Sequence, residues 1–472
     1  MTSYDIIELL RATPGINDKR AILRSHKDNK EFQRILTLTL DPRVTFGIKK
    51  IPSYFYIAWD LSLDEALTSL SRFINRDLSG NNARDYLQGM LETLTEKDAQ
   101  IIKWIIAKDF KAGFGVSLIN DEMGDFKIYE VPYMGAVSYS QKRIEDIMSK
   151  GPAFSEVKMD GRYLNCVVRD GSSVFMESRG GKPNPLMGCL VDEAITLAKY
   201  MGYTDVVFNG ELMLKGEMDR YKSNGIISSF VSIAQKAHDG ADVTKEITKF
   251  EKDQGMSIEE AKGRIQLVVW DYLPYENYLE QTWSEPRSSR LAKLKIGCEE
   301  TESFQIVEYK VVETVAEAIT HFQEMLARGE EGTILKAWDG IWENKKPVYQ
   351  AKMKLEINVD LRITGFNYGT PGTKNENVIS SINVESMCGE LNTSPGGIKE
   401  VDMQFITDNM DTLLGTIVET KCCGTSQDSD GVWSLLHPVF LKIRDDKNTG
   451  DDLTSILEIE NMAKGLSNLS AI

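Results

Sequence analysis

The hydrophobic period of this chain changes near residue 130, and that change constrains the fold more than any other feature. Before it, apolar residues recur at helical spacing. Asp18 is placed to cap a helix that buries Ala21, Ile22, Leu23, Phe32, Ile35 and Leu36. Ser62-Leu63-Asp64-Glu65 has capping-box spacing ahead of Ala66, Leu67, Leu70 and Phe73. A third helix is predicted from Glu96 to Phe110, with Ile101, Ile102, Ile105 and Ile106 inward, ending at Lys111-Ala112-Gly113-Phe114-Gly115. Beyond 130 come short β-like runs at 163–169, 174–178, 205–214, 265–272 and 333–337, with a polar helical insert over 215–262. A second boundary falls at 357–362. Further strands are expected at 361–366, 378–384, 401–406, 414–422 and 439–443. Five strands within about 100 residues suit a small barrel.

A chain of 472 residues is long enough for about three domains with real cores. The six cysteines are scattered without a Cys-x-x-Cys pair, and there are four histidines, which argues against structural zinc and for reduced thiols. No apolar run is long enough to span a bilayer, and Met1-Thr2-Ser3-Tyr4-Asp5 is not a secretory signal, so a cytoplasmic protein without membrane contact is expected. The net charge of −16 excludes a chain that attracts polyanions as a whole. Its distribution is uneven: residues 1–150 carry 21 basic and 21 acidic side chains, so the excess acid lies beyond them. Local basic clusters remain there at Lys19, Arg20, Arg24 and Lys27, at Lys49 and Lys50, and at Lys103, Lys108 and Lys111.

The chemistry concentrates in a series of polar phrases on or beside strands. Ser155-Glu156-Val157-Lys158-Met159-Asp160-Gly161-Arg162 sets an amine two residues before a carboxylate and a glycine. On a strand running into a turn, Lys158 and Asp160 share a face, and Gly161 lets the backbone approach a ligand. Such a lysine is a nucleophile when burial or nearby positive charge lowers its pKa. There follow Ser178-Arg179-Gly180-Gly181, Asn209-Gly210-Glu211-Leu212, Trp270-Asp271-Tyr272, Glu330-Glu331-Gly332-Thr333-Ile334-Leu335-Lys336, Lys352-Met353-Lys354 and Arg444-Asp445-Asp446-Lys447. Singly, each reads as well as an edge-strand carboxylate, a solvated face, a core tryptophan or a surface turn. Together they are costly inside strands unless they meet ligands or each other. Glu211 and Glu331 suit a hard cation such as Mg²⁺, and Lys352, Lys354 and Arg179 suit phosphate or ribose.

The order and types of these phrases resemble the covalent nucleotidyltransferase superfamily of DNA ligases, RNA ligases and mRNA capping enzymes. Stretches 18–50 and 113–120, with Ser223-Asn224-Gly225-Ile226, add a likeness to the ATP-dependent DNA ligases of T-even-type bacteriophages. The resemblance implies three domains. A helical DNA-binding domain would occupy 1–128, an α+β nucleotidyltransferase domain of ATP-grasp-like antiparallel sheets 129–358, and an OB-fold β-barrel 359–472.

It also implies that Lys158 attacks the α-phosphate of ATP and becomes an AMP-lysine, with Lys352 and Lys354 as its catalytic cations. Glu156 would accept from the adenine amino group and Trp270 would pack on the ring. Val157, Arg179, Lys336, Lys352 and Lys354 would complete the nucleotide site. Glu211 and Glu331 would serve Mg²⁺ and the ribose, and Arg444 and Lys447 would orient the pyrophosphate. A hinge is expected near Asp360. The implied partner is nicked double-stranded DNA, bound by one chain, with Lys108, Lys111, Gly113, Gly115 and Ser117 on its backbone. One position departs from the family. The arginine usual five residues after the nucleophile is Tyr163 here, and an arginine stands one place earlier, at Arg162. Either the turn after Gly161 is altered or Arg179 takes over the contact. The rival expectations are an RNA ligase of the same superfamily and a non-catalytic nucleic-acid clamp.

Overall fold

The computed structural model describes residues 1–464 apart from 49, 58, 59, 217, 219, 372, 374 and 429. Lys49 of the second basic cluster therefore lies outside the described residues.

The first 128 residues are helical, and their ends follow local capping chemistry. Ser62 and Glu65 close the expected capping box on helix Leu63–Ser69, Thr2 and Asp5 close another on Ser3–Ala12, and Thr95 caps Glu96–Ala107. Asp18 does not cap. It lies in the first turn of Ile16–Ser25, whose N-cap is Gly15, and Phe32, Ile35 and Leu36 belong to a separate helix, Lys30–Leu40, capped by Asn29. Helix Glu96–Ala107 stops at Lys108 (φ 56°), before the expected glycines, because Lys108 takes the left-handed conformation itself. One apolar cluster, including Ile6, Leu36, Phe73, Leu87 and Ile102, holds these helices together.

Two five-stranded sheets follow. The first runs in the order Val137–Ser138, Gln350–Lys354, Gly332–Ala337, Ala153–Val157, Tyr309–Val312, and only its pair of Val137–Ser138 with Gln350–Lys354 is parallel. The second runs Ser173–Glu177, Arg162–Arg169, Val206–Leu214, Ile265–Pro274, Phe304–Ile306, with only the last pair parallel. The polar insert forms helices Arg220–His238, Thr244–Gln254 and Ile258–Arg264, which bury Ile226, Phe230 and Ala261 in the core of the second sheet.

Register aligns the site. In the first sheet Ile334 faces Glu156 on one side and Lys352 on the other, and Lys336 faces Gln350. Directly paired residues share a face, and so do residues two apart along a strand, so Glu156, Ile334, Lys336, Gln350, Lys352 and Lys354 line one side of this sheet. In the second sheet Tyr163 faces Glu211. The ladder between Val206–Leu214 and Ile265–Pro274 pairs Asn209 with Asp271 and then Gly210 with Val269, leaving Trp270 as the extra residue of a bulge. A Cβ on Gly210 would come within 2.5 Å of the Val268 carbonyl oxygen, so this strand crossing requires glycine.

The C-terminal strands form an antiparallel sheet in the order Asn392–Thr393, Ile379–Glu385, Ile357–Tyr368, Ile417–Cys422, Val439–Ile443, beside a ribbon of Thr425–Gln427 with Trp433–Leu435. The barrel expected here is not closed. Among the described residues no ladder joins the outer strands, and only isolated bridges at Leu391–Trp433 and Gly396–Val439 link the flanking segments. The strand expected at 401–406 is a helix, Glu400–Asp408. Its alternating apolar residues misled, because Val401 is 75% exposed and Phe405 53%, while Ile406 alone of the three is buried.

Candidate active site

A cavity of about 250 Å³ opens beside the first sheet, lined by Glu156, Val157, Lys158, Tyr163, Arg179, Glu211, Trp270, Lys336 and Lys352 among others. The sheet row described above supplies Glu156, Lys336 and Lys352, and the bulge turns Trp270 to the same space. Lys158 follows directly on strand Ala153–Val157, and its N–H donates to the Gly332 carbonyl at 2.9 Å. Its ammonium pairs with the Glu331 carboxylate. Gly332 makes this possible: its φ is 141°, and a Cβ there would lie 2.1 Å from the Met353 carbonyl oxygen. Glu211 accepts from the Gly161 N–H at 2.8 Å. Burial is the main reason its carboxyl is pushed up to about 7, with Asp160 and Glu331 adding negative charge against the opposing pull of Gly161 and Lys158. Burial, then the positive charges of Lys354 and Lys158, push the Lys352 ammonium below its usual range.

Three expected cations stand elsewhere. Lys354 donates to Cys423 Sγ at 3.2 Å and lies 3.7 Å from Glu356, in an adjoining cleft. Arg444 reaches Asp360 Oδ1 at 3.0 Å and Asp446 at 2.8 Å, and Lys447 also pairs with Asp360. Asp360 is a buried residue within strand Ile357–Tyr368, and it holds both cations.

At the position that departs from the family, Tyr163 faces the cavity, its ring 5.4 Å from Tyr133 and 5.7 Å from Trp270. Arg162 lines a neighbouring cleft together with Arg179, Asn224 and Ser228. Its Nε is buried with no hydrogen-bond partner among the described residues, and burial lowers its pKa. Arg179 lines both spaces, its guanidinium 4.1 Å from the Tyr133 ring centre.

Sequence reading passed over the best-buried part of the site. Arg287 and Arg290, with side chains 2% and 0% exposed, stand at the start of helix Arg287–Cys298. Arg287 donates to Glu156 Oε1 through Nε at 3.0 Å and Nη2 at 2.5 Å, and Lys336 lies 2.6 Å from Glu156 Oε2. Arg290 grips both oxygens of Asp271 at 2.9 Å. Burial alone would raise the Asp271 carboxyl, but Arg290 and Arg287 outweigh it and hold it at about 2. The only sequence signal was the spacing of two arginines on one helix face after Pro286.

The model of the ATP dependent DNA ligase domain matches residues 134–354, the span that contains this cavity. The chain is 27% identical over 485 aligned residues to the DNA ligases of Enterobacteria phages T4 and T6, covering 95% of this chain and 97% of each of theirs. Residues 134–354 are thus an ATP-dependent DNA ligase domain. The solved structure named "Pmar-Lig_Pre." shares the fold, with a TM-score of 0.70 at 22% identity over 94% of this chain and 99% of that one.

The ligase's expected DNA contacts divide on inspection. Lys108 is half-buried. Its ammonium turns inward to the carbonyls of Leu38 and Asp41 at 3.0 and 2.7 Å, and burial lowers its pKa to about 8. Lys111 donates to the Pro371 carbonyl at 2.9 Å, bridging the helical region and the C-terminal sheet region. Gly113 has φ 65°, and Gly115 and Ser117 sit at the exposed start of the short helix Val116–Glu122. Lys19 is buried against the Ala112 carbonyl, and Arg20 and Arg24 both pair with Glu122, so much of the first basic cluster is neutralised internally.

Among the described residues no group of three or more His, Cys, Asp or Glu side chains is placed to hold a metal. Glu211 and Glu331 nevertheless fit a cation that keeps most of its waters and takes phosphate oxygens, because Mg²⁺ needs only one or two carboxylates from a protein. The elevated Glu211 carboxyl is the group such a cation would relieve. No described helix is long and apolar enough to cross a membrane.

Proposed function

We propose that this chain seals nicks in duplex DNA at the expense of ATP, with Lys158 as the residue that carries AMP. The observation that carries this reading is one continuous lining that joins Glu156, 1% exposed, to Lys158, whose side chain is 19% exposed and paired with Glu331. A base reader and a nucleophile on one lining suit the two ends of a nucleoside phosphate.

Attack of the neutral Lys158 amine on the α-phosphorus forms an N–P bond while the bond to the pyrophosphate oxygen breaks. The ammonium must first shed a proton, and Glu331, already its partner, is the acceptor at hand. Lys352 offers positive charge to the transferring phosphate. Glu211 and Glu331 would hold Mg²⁺, which would supply positive charge to the phosphate oxygens. Glu156 accepts from the adenine amino group, and Trp270 with Tyr163 gives the base an aromatic wall. AMP then passes to the 5′-phosphate of the nick, for which Arg162 and Arg179 provide two neighbouring guanidiniums, and the 3′-hydroxyl displaces it.

The chain divides into units 1–128, 129–358 and 359–472, with the first on the duplex backbone and the last moving. Arg444 and Lys447 stand on Asp360 within the C-terminal unit, so that unit has to turn relative to the cavity to bring them to the pyrophosphate. One chain suffices for this cycle. The test is sealing of a labelled nick in DNA and in RNA with ATP and Mg²⁺, using the wild type and Lys158→Ala. Sealing of DNA that the variant abolishes supports the reading. Preferential sealing of RNA would make the chain an RNA ligase, and no sealing of either would leave a nucleic-acid clamp.

A further inference from the structure

The two buried arginines of helix Arg287–Cys298 do more than fill space. Glu156 projects from a sheet row into the cavity, yet both of its oxygens are already claimed, Oε1 by two nitrogens of Arg287 and Oε2 by Lys336. Asp271, the residue after the bulged Trp270, is gripped on both oxygens by Arg290 and lies 3.4 Å from Arg287 Nη1, which has no hydrogen-bond partner among the described residues. One helix turn thus ties together the carboxylate and the tryptophan that line the cavity.

The helix is itself braced. The Arg287 and Ser288 N–H groups donate to the carbonyls of Gly340 and Trp338 at 2.9 and 3.0 Å, and Arg290 Nη1 donates to Gly340 at 3.1 Å. Residues 338–340 directly follow strand Gly332–Ala337, which carries Lys336. The two cations on Glu156 therefore come from elements locked to each other. A side chain held this way cannot rotate, and its oxygens can only accept hydrogen bonds.

We propose that Arg287 is a positioning residue for base selection: by fixing Glu156 as a rigid acceptor, it makes the ligase prefer a purine that presents an amino group over one that presents a carbonyl or nothing. The proposal rests on Glu156 reading the base. A purine with a 6-amino group gives Glu156 a hydrogen. Guanine offers an oxygen there, which a pure acceptor repels, and an unsubstituted purine leaves the buried carboxylate short of a partner. Loss of Arg287 frees the carboxylate to turn or to take a proton, and the preference should collapse. Arg290 supports the same turn through Asp271, one step further from the base.

The experiment measures the rate of Lys158 labelling by ATP, by GTP and by purine riboside triphosphate, on the full chain, for the wild type, Arg287→Gln and Arg287→Lys. Each preparation yields its own ratio between nucleotides, so a reduced folded fraction cancels. The wild type should favour ATP over purine riboside triphosphate by about 30-fold or more. Arg287→Gln should lose most of that ratio, chiefly by losing efficiency with ATP, while Arg287→Lys should fall between. Should the glutamine variant not fold, the lysine variant carries the test alone. Equal loss with all three nucleotides would make Arg287 merely structural and overturn the proposal. A wild type without preference would instead sink the reading of Glu156 as the base reader, which is a different failure.

Discussion

The base end and the phosphate end of the cavity are built on opposite plans. At the base end, Glu156, Asp271, Arg287, Arg290 and Lys336 are all buried and bonded to one another. At the phosphate end, Lys354 is turned to Cys423, while Arg444 and Lys447 stand on Asp360 in the C-terminal sheet. The first arrangement costs nothing to reorganise when a nucleotide arrives. The second has to be assembled by movement. On the proposed reading, the contrast says where rigidity is placed: recognition of the base would be finished in advance, and charge on the pyrophosphate would be met when the C-terminal unit turns.

That contrast can be broken in four places. Arg290→Ala strips the grip from a buried carboxylate and should destabilise the chain by about 3–5 kcal/mol, read by chemical denaturation. A loss below about 1 kcal/mol would mean that the base end is not the rigid one.

Glu211 comes next. Its carboxyl is raised from 4.5 to about 7 in the fold. The folded state therefore binds a proton that the unfolded chain has released. The associated stability is fully present below pH 4.5 and is lost as pH rises through about 7. Between pH 5 and 8 the wild type should lose about 3 kcal/mol more than Glu211→Gln. Mg²⁺ should restore part of that loss at pH 8 in the wild type, read by melting temperature. A flat difference between the two proteins would show that the Glu211 site carries no such strain.

Arg444→Ala should slow Lys158 labelling by about 100-fold per folded molecule, with the folded fraction read separately from the melting temperature, because its work lies in the turned state. Equal rates would remove the need for movement. The smallest effect is expected at Cys423→Ser, where a hydroxyl accepts the same hydrogen from Lys354 and the labelling rate should stay within about twofold. A large change there would make that contact part of the assembly step.

Much of the fold was legible because its signals are local. The Ser62–Glu65 capping box and the strands that carry Glu211 and Trp270 follow from residues near in sequence. The site was legible where polar residues interrupt apolar strands, as at Lys158, Glu211, Lys336 and Lys352. Long-range burial was not. Lys108 looked like a DNA contact, but carbonyls of Leu38 and Asp41, about 70 residues earlier, take its charge. Arg287 and Arg290 went unmarked, because nothing near them in sequence announces Glu156, 131 residues before Arg287. The helix at Glu400–Asp408 kept a strand-like alternation since Val401 and Phe405 need no core. The Trp270 bulge depends on a register set between two strands, which no single segment encodes.

The central claim is that Lys158 carries AMP. The direct measurement is peptide mapping by mass spectrometry of the chain after incubation with ATP and Mg²⁺ and acid quenching. The account predicts one adenylyl group on the peptide containing Lys158, removed by added pyrophosphate and by nicked DNA. An adenylyl group on any other residue, or none at all, would contradict it.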